Sequence, residues 1–367
     1  EVRRMSKEHP AQLIMLLSLL SPLAGLTLYK PASPDTMLSI YLANPALAGG
    51  VVSGILFCLL TVYELDRTVR NRVDVITDAV VSPMRTALIR LLMLLFMSLV
   101  MLLITTAVWC PVTLIKTGAV FDMTDHCLAY ILFMGLSMPA AILAAAAAYQ
   151  FTRRADLSLV LFAAFAGLSL TVWADDWQLC WLNPCVWALS DDFSNFRIFR
   201  SAAYMRMTWL TALAGIWVLS WLCIRQHGKG ILGSLIFGSR RIYRPAAALL
   251  LIACSGAAYA AQPIVDHSNP DQTVMTFDGL PSPDGVTCTG REVRVYPDTD
   301  AGTVEGIATY LFRNTSGQAR TAAFGINPGY KISAVKANGV DTPFSAGDYQ
   351  EYNEALLEVT VPAEDEI

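Results

Sequence analysis

Seven stretches of this chain are apolar for long enough to cross a lipid bilayer, and all of them precede residue 262. A membrane-spanning helix needs about 20 mainly apolar residues, because the bilayer core holds no water to satisfy backbone groups. Charged residues make up 15% of the chain, against about a quarter in ordinary soluble domains. The predicted spans are 11–28, 46–63, 88–110, 128–149, 157–174, 208–224 and 246–261.

The sequence changes character at Gln262. From there to Ile367 it holds sixteen acidic and six basic side chains, which gives this part a net charge of −10. Such an acidic surface repels the phosphate backbone and argues against a nucleic-acid partner. Short β-like segments alternate there with turn-forming residues, and this pattern is typical of an antiparallel β-sandwich. The predicted strands include 321–326, 331–336 and 355–361, and turns are predicted at 327–329, 338–341 and 345–348.

The predicted fold class is therefore an α-helical polytopic membrane bundle of about seven spans, followed by an all-β, sandwich-like extracytoplasmic domain. The last span ends in the small residues Ala257–Ala261, so a cleaved signal-peptide-like segment is an alternative to a seventh anchoring helix.

Lys and Arg are unevenly divided between the two sets of connections, and such an excess marks the cytoplasmic side. With the N-terminus inside, the inner segments hold fourteen basic residues and the outer connections five. This predicts a multi-pass protein of the cytoplasmic (inner) membrane, with the acidic domain outside. The inner residues are Arg3, Arg4, Lys7, Arg67, Arg70, Arg72, Arg85, Arg153, Arg154, Arg225, Lys229, Arg240, Arg241 and Arg244; the outer ones are Lys30, Lys116, Arg197, Arg200 and Arg206.

The connection between the second and third spans, residues 64–85, has its own periodicity. Leu65, Val69, Val73 and Ile76 recur at helical spacing, and charged side chains occupy the opposite face. This predicts an amphipathic helix on the inner membrane surface; a solvated loop without a partner is the alternative. The polar residues expected to face a partner, with the proline and arginine that open the next span, are Glu64, Asp66, Arg67, Arg70, Arg72, Asp74, Pro83 and Arg85.

Two further pairs of residues carry local predictions. Gly50 and Gly54 lie four apart in a span and predict a face where a neighbouring helix packs closely, with a substrate contact as the alternative. Cys180 and Cys185 share an outer loop, where they form either a short disulfide or two free thiols.

No motif for catalysis or metal binding stands out. The four histidines are isolated from one another, and there is no phosphate-binding G-x-x-x-x-G-K-[ST] loop. No Asp, Glu, Lys or His lies in the middle of a predicted span, so an ion-coupled pathway has few groups to use. We therefore expect a chain that is not itself an enzyme and that receives energy from a partner.

Three short motifs lie next to the predicted spans: Glu64-Leu65-Asp66-Arg67 after the second, Val81-Ser82-Pro83-Met84-Arg85 before the third, and Trp181-Leu182-Asn183-Pro184 between the fifth and sixth. With these motifs, residues 1–225 resemble the permease of a type-2 ABC exporter. This resemblance implies a six-span permease domain that pairs with a second permease half, as a homo- or heterodimer. It also implies that the helix at 64–85 docks on an ABC ATPase subunit, which binds the ATP. Residues 226–261 are then a cytoplasmic connection and a seventh span.

Three segments of the acidic part follow one another in a recognisable order: Phe312-Arg313-Asn314-Thr315-Ser316, Asn327-Pro328-Gly329-Tyr330-Lys331-Ile332 and Val335-Lys336-Ala337-Asn338-Gly339. In this order, residues 262–367 resemble the opening β-domain of the aminopeptidase-N family. That family holds zinc on an H-E-x-x-H motif in a later domain, and this chain has no such motif. The alternative function is thus a membrane-anchored aminopeptidase-like or binding protein whose catalytic part would lie beyond residue 367.

Overall fold

The computed structural model describes residues 2–5, 7–71, 80–224, 230–262, 284–298, 303–326, 331–349 and 354–363. The chain divides into two compact units, Glu1–Pro263 and Ile264–Ile367. The first unit is helical and the second is built from strands.

The helices of the first unit are α1 Val2–Met5, α2 His9–Leu20, α3 Leu23–Thr27, α4 Asn44–Arg70, α5 Pro83–Thr117, α6 Met123–Ala129, α7 Ser137–Thr152, α8 Ala155–Leu170, α9 Phe196–Leu222, α10 Ile231–Ser239 and α11 Tyr243–Ala260. Two π-helical stretches, Ser39–Ala43 and Tyr130–Gly135, lead into α4 and into α7. A 3₁₀ turn, Gly118–Val120, follows α5.

Among the described residues, five helical segments are long and apolar enough to cross a membrane: His9–Thr27, Ser39–Arg70, Pro83–Val120, Met123–Thr152 and Phe196–Leu222. A bent pair formed by Gly233–Ser239 and Tyr243–Ala260 makes six if it counts as one span. The segment predicted as the fifth span is the shorter apolar helix Ala155–Leu170. The structure thus supports a multi-pass membrane protein but not a count of seven.

The second predicted span continues past the point where we expected it to end. α4 runs to Arg70 without a break at Glu64, because residues 65–70 contain no glycine or proline that would stop a helix. Arg67 and Arg70 lie in its last turn, where cations interact favourably with the helix dipole. The first part of the predicted surface helix is therefore an extension of α4, and residues 72–79 lie outside the described residues.

α5 begins where the sequence predicts. Ser82 is its N-cap, the Ser82 side chain accepts a hydrogen bond from the Arg85 backbone N–H at 3.4 Å, and Pro83 occupies the first turn. The helix is 35 residues long and contains Pro111 in its interior. Between Arg90 and Lys116 it has no charged side chain.

Contacts among helix ends show which connections share one end of the bundle. The Tyr149 hydroxyl lies 3.0 Å from an Asp66 carboxylate oxygen, and Trp221 Nε1 donates to the Met84 carbonyl at 2.8 Å. Arg244 also reaches Met84, with its Nη1 3.6 Å from the sulfur. Together with the N-terminal segment, these elements form what we call the arginine-rich end: residues 2–5, 7–8, 64–71, 80–90, 149–156, 221–224 and 230–244.

The second unit contains β1 Val286–Asp298, β2 Thr303–Asn314, β3 Arg320–Ile326, β4 Lys336–Ala337, β5 Val340–Asp341, β6 Phe344–Tyr349 and β7 Glu354–Val361. All described pairs are antiparallel: β1 with β2, β4 with β5, and a three-stranded sheet in the order β3-β7-β6. Among its described residues, the buried core consists of Val286, Ala322 and Val361, with Phe312 and Phe324 packed against them. The unit is thus an antiparallel strand region, and a complete sandwich is not established.

The strands predicted at 321–326 and 355–361 are confirmed as β3 and β7, and the turn predicted at 327–329 lies outside the described residues. Of the other details of the β prediction, two are wrong and one is confirmed. Residues 331–335 are not a strand, and only Lys336 of that predicted segment pairs in β4. The predicted turn at 345–348 lies inside β6, where pairing with β7 outweighs the turn preference of Gly347 and Asp348. The turn at Asn338-Gly339 is present, with φ values of 50° and 80°, and both residue types tolerate that region.

Candidate functional site

The predicted docking residues at the arginine-rich end differ in how accessible they are. Arg70 and Arg85 are exposed, and the Arg70 guanidinium lies over the Tyr63 ring at 5.1 Å. Asp66 and Pro83 are half-buried. Arg72 and Asp74 lie outside the described residues. Of the described residues in this set, Arg70 and Arg85 therefore offer the most accessible charge to a partner.

Glu64 and Arg67 instead belong to an ion-pair cluster with the N-terminal segment. Glu64 is only 1% exposed, and its Oε2 lies 2.6 Å from Nη2 of Arg4. Arg67 Nη1 lies 2.6 Å from Oε1 of Glu8 and 3.9 Å from Oε1 of Glu64. Arg4 also pairs with Glu8, one helical turn away. We call these four residues the N-terminal ion-pair cluster.

The N-terminal ion-pair cluster joins two segments that are about sixty residues apart in sequence. Its two arginines and two glutamates balance in charge. Because Glu64 is buried, its carboxylate is desolvated, and among the described residues the Arg4 and Arg67 guanidinium groups offset part of that cost. The sequence pattern suggested Glu64 as a contact for another protein, whereas the structure places it inside the chain as the link between α4 and the N-terminus. No local periodicity could identify Arg4 and Glu8 as its partners.

Replacing Glu64 by Gln should lower the free energy of unfolding by about 1.5 kcal/mol, because a buried hydrogen bond between charged groups becomes a weaker one. Thermal unfolding of the purified chain in mild detergent measures this loss. Asp156→Asn removes an exposed pair with Arg154 and should leave the unfolding midpoint unchanged. Equal shifts of the unfolding midpoint in both variants would show that the N-terminal ion-pair cluster adds nothing to stability.

The glycine face of α4 is in close contact with the segment that leads into α7. A Cβ on Gly50 would lie 2.4 Å from the Phe133 carbonyl oxygen, and a Cβ on Gly54 would lie 2.9 Å from Cδ1 of Leu182. The first obstacle is backbone, while the second is the end of a flexible side chain. Gly50 therefore lets two helical backbones approach one another, as small residues do in membrane bundles.

No sequence pattern pointed to Arg206 on α9, a buried side chain that makes several hydrogen bonds to other described residues of the bundle. This arginine is 1% exposed. Its Nε donates to the Leu132 carbonyl at 2.7 Å, and its Nη2 donates to the Phe133 carbonyl at 2.9 Å and to Oγ of Ser137 at 2.6 Å. Leu132 and Phe133 belong to the π-helical stretch, whose hydrogen bonding departs from the α-helical ladder.

Arg206 also holds the long connection 171–195 between α8 and α9. Its Nη1 donates to the Trp181 carbonyl at 2.6 Å, and its Nη2 lies 3.4 Å from the Leu182 carbonyl. Both residues are fully buried although this connection is not helical. Non-helical backbone at membrane depth is stable only where protein covers it. The guanidinium thus satisfies carbonyls that regular secondary structure leaves available.

This placement corrects the predicted division of basic residues. Arg206 was counted among the outer connections, but it lies within α9 and contacts only backbone carbonyls and one hydroxyl among the described residues. Packing around it is dense: the Trp181 indole stacks on Phe165 with ring centroids 4.6 Å apart, and its Nε1 donates to the Phe165 carbonyl at 3.1 Å.

Cys180 and Cys185 carry free thiols in the structure. The Cys185 backbone N–H donates to the Cys180 sulfur at 3.2 Å. Burial raises the pKa of the Cys180 thiol to about 12, so the thiol stays protonated at neutral pH, and only a thiolate attacks a disulfide or binds a metal readily.

The histidine on α6, His126, is buried and packs with its ring 4.8 Å from that of Tyr130. Its Nε2 lies 3.1 Å from the Thr106 carbonyl oxygen. Within the described part of the chain, no three His, Cys, Asp or Glu side chains are grouped as metal ligands would be. Compared with known protein families, curated proteins and solved structures, this chain matches none.

Proposed function

We propose that this chain is the membrane permease subunit of an ATP-driven, ABC-type exporter, and that a separate ATPase subunit drives it through the segment 64–85. The observation that carries the proposal is the N-terminal ion-pair cluster. It ties the extension of α4 to a second segment of the chain, so a force applied at Arg70 would move a helix that is held in place rather than a loose loop.

The interior of the helical unit gives further support. A single helix is enough to anchor a domain in a membrane. Here α4 packs backbone to backbone at Gly50, and a buried arginine holds non-helical chain between helices. Such internal packing goes beyond what anchoring a domain requires. The resemblance to exporter permeases implies that a second permease half, identical or different, would complete the pathway.

The arginine-rich end is proposed to face the cytoplasm. This follows the general excess of Lys and Arg on that side of membrane proteins, and it would give the ATPase subunit access to Arg70 and Arg85. The acidic strand unit would then face the outside of the cytoplasmic membrane.

The test is the double variant Arg70→Glu and Arg85→Glu. Both side chains are exposed, so charge reversal should leave the fold intact while repelling an acidic docking surface. We expect an ATPase that copurifies with the native chain in mild detergent to be lost, together with vanadate-sensitive ATP turnover of the preparation. Arg67 is avoided because its ion pairs would confound the result.

The matched control reverses two exposed arginines at the start of α9, Arg197→Glu and Arg200→Glu. These changes should leave copurification and ATP turnover as they are in the native chain. Unchanged copurification and turnover in the Arg70/Arg85 variant would overturn the docking assignment and with it the exporter proposal.

The second candidate, a membrane-anchored aminopeptidase-like or binding protein, is favoured by one observation. The hairpin β1-β2 exposes a row of apolar side chains on one face, including Val293, Val295 and Val304, as a strand surface does when another domain or partner covers it. Zinc-dependent cleavage of peptide amides by the purified full chain would favour this candidate. We expect no such cleavage.

A further inference from the structure

The corner between α10 and α11 combines a sharp bend with three arginines. The axes of the two helices meet at 93°. If α11 crosses the bilayer, α10 must lie close to the membrane plane. Arg240 and Arg241 occupy the corner itself, and Arg244 lies in the first turn of α11. We call these three residues the corner arginines.

The corner arginines pair with no carboxylate among the described residues. Arg240 lies over the Phe237 ring at 5.4 Å, and Arg241 Nη1 is 3.4 Å from the Tyr243 hydroxyl. Arg244 packs over the Trp221 ring at 5.3 Å, and its Nε is buried without a hydrogen-bond partner. Three positive charges thus gather where the structure supplies aromatic faces and no described anion.

The position of the corner arginines at the start of α11 makes the binding of an external anion more favourable still. The first turn of an 18-residue helix lies at the positive end of the helix dipole, which attracts phosphate and repels arginine. The corner arginines therefore add to an already positive electrostatic potential, and a bound anion would neutralise it.

The surroundings of the corner arginines favour a lipid over a free anion as the ligand. Large apolar side chains flank the corner on both helices and are widely exposed: Ile236 is 70% exposed, Ile242 81% and Leu249 66%. Tyr243 and Trp221 lie at the same level, as aromatic residues do at the membrane interface. Acyl chains would cover the apolar flanks while a headgroup phosphate meets the guanidinium groups.

We propose that the corner of α10 and α11 is a binding site for an anionic phospholipid, with the corner arginines holding its headgroup phosphate. The site would tie α10 to the membrane surface at the arginine-rich end. It is independent of the ATPase-docking segment, so either assignment can fail without the other.

The experiment measures lipid retained by the full chain in mild detergent, using native mass spectrometry and phosphatidylglycerol as the probe. Phosphatidylcholine with the same acyl chains is the neutral comparison. Arg240→Gln with Arg241→Gln should weaken phosphatidylglycerol binding on the order of thirtyfold, from about fivefold for each arginine near an anionic surface. Phosphatidylcholine binding should be weak and unaffected.

The control pair is Arg197→Gln with Arg200→Gln. Arg200 lies over the Phe196 ring at 5.7 Å, so it copies the stacked geometry of Arg240 without the corner. This variant should bind phosphatidylglycerol as the native chain does. An equal loss in both variants, or equal retention of the two lipids by the native chain, would overturn the proposal. Displacement of the lipid by millimolar inorganic phosphate would overturn the assignment to lipid.

Discussion

Replacing Arg206 by Met should lower the free energy of unfolding of the helical unit by about 3 kcal/mol. The change removes the donor to the carbonyls of Leu132, Phe133, Trp181 and Leu182. Each hydrogen bond lost from a buried carbonyl costs about 1 kcal/mol or more, and Ser137 Oγ remains as a donor to the Phe133 and Leu182 carbonyls. Average hydrogen bonds in membrane bundles contribute about 0.6 kcal/mol, so the sum over these bonds stays close to 3 kcal/mol.

Two effects oppose each other at this site. Burying a guanidinium is itself costly, and replacing a buried charge by an apolar side chain often offsets that cost. Here the acceptors are backbone groups that remain in place after the substitution, so their desolvation is not relieved. We therefore expect the loss of hydrogen bonds to outweigh the gain from removing the charge.

Thermal unfolding in mild detergent measures the effect of Arg206→Met. Arg200→Met, on an exposed position of the same helix, is the control and should leave the midpoint unchanged. Arg206→Lys should fall between the two, because one ammonium group cannot reach acceptors on both sides of a planar guanidinium. A stable Arg206→Met protein would show that the carbonyls find other donors and that the connection 171–195 does not need the arginine.

Replacing Gly50 by Ala should also cost about 3 kcal/mol, the upper end of what one extra methyl group costs in a packed core. The added carbon would lie 2.4 Å from the Phe133 carbonyl oxygen and 2.9 Å from Oγ of Ser137. Both atoms belong to the Arg206 network, so α4 must move away and disturb that network too. The same unfolding measurement detects the loss.

Two other glycines provide controls for the Gly50 variant. At Gly54 the nearest atom is the end of the Leu182 side chain, which can rotate, so Gly54→Ala should cost clearly less. At Gly167, in α8, nothing lies within 4 Å of an added Cβ. Gly167→Ala should therefore stabilise the helix by about 0.5–1 kcal/mol through its better helix propensity. Equal losses at all three positions would contradict a specific contact at Gly50.

Hydropathy could predict much of the helical unit, because each span must bury its own backbone hydrogen bonds within one continuous apolar segment. The start of α5 was predictable for a similar local reason, since Ser82 and Pro83 carry their own capping chemistry. The change of composition at Gln262 likewise lies within two residues of the boundary between the two compact units.

The polar contacts inside the bundle were not predictable in this way. Arg206 meets residues that lie about 24 and 74 positions away, and Glu64 meets Arg4 across 60 positions. No pattern along the chain encodes such distances. Arg206 looked like a loop residue because it follows Arg197 and Arg200 closely in sequence. In the strand unit, residues 345–348 form part of β6 instead of the expected turn, because they pair with β7. That pairing again depends on residues outside the local segment.

The length of the uncharged stretch of α5 bears on the bilayer thickness that suits this protein. The 25 residues between Arg90 and Lys116 span about 37 Å at 1.5 Å per residue, against a hydrocarbon layer of about 30 Å. Lys116 Nζ lies over the Tyr41 ring at 5.8 Å. This contact opposes a shift of the C-terminal end of α5 out of the bilayer. The excess length must be absorbed by tilting, by a kink at Pro111 or by local thickening of the bilayer. Membranes with longer acyl chains should therefore suit this protein better than thin ones.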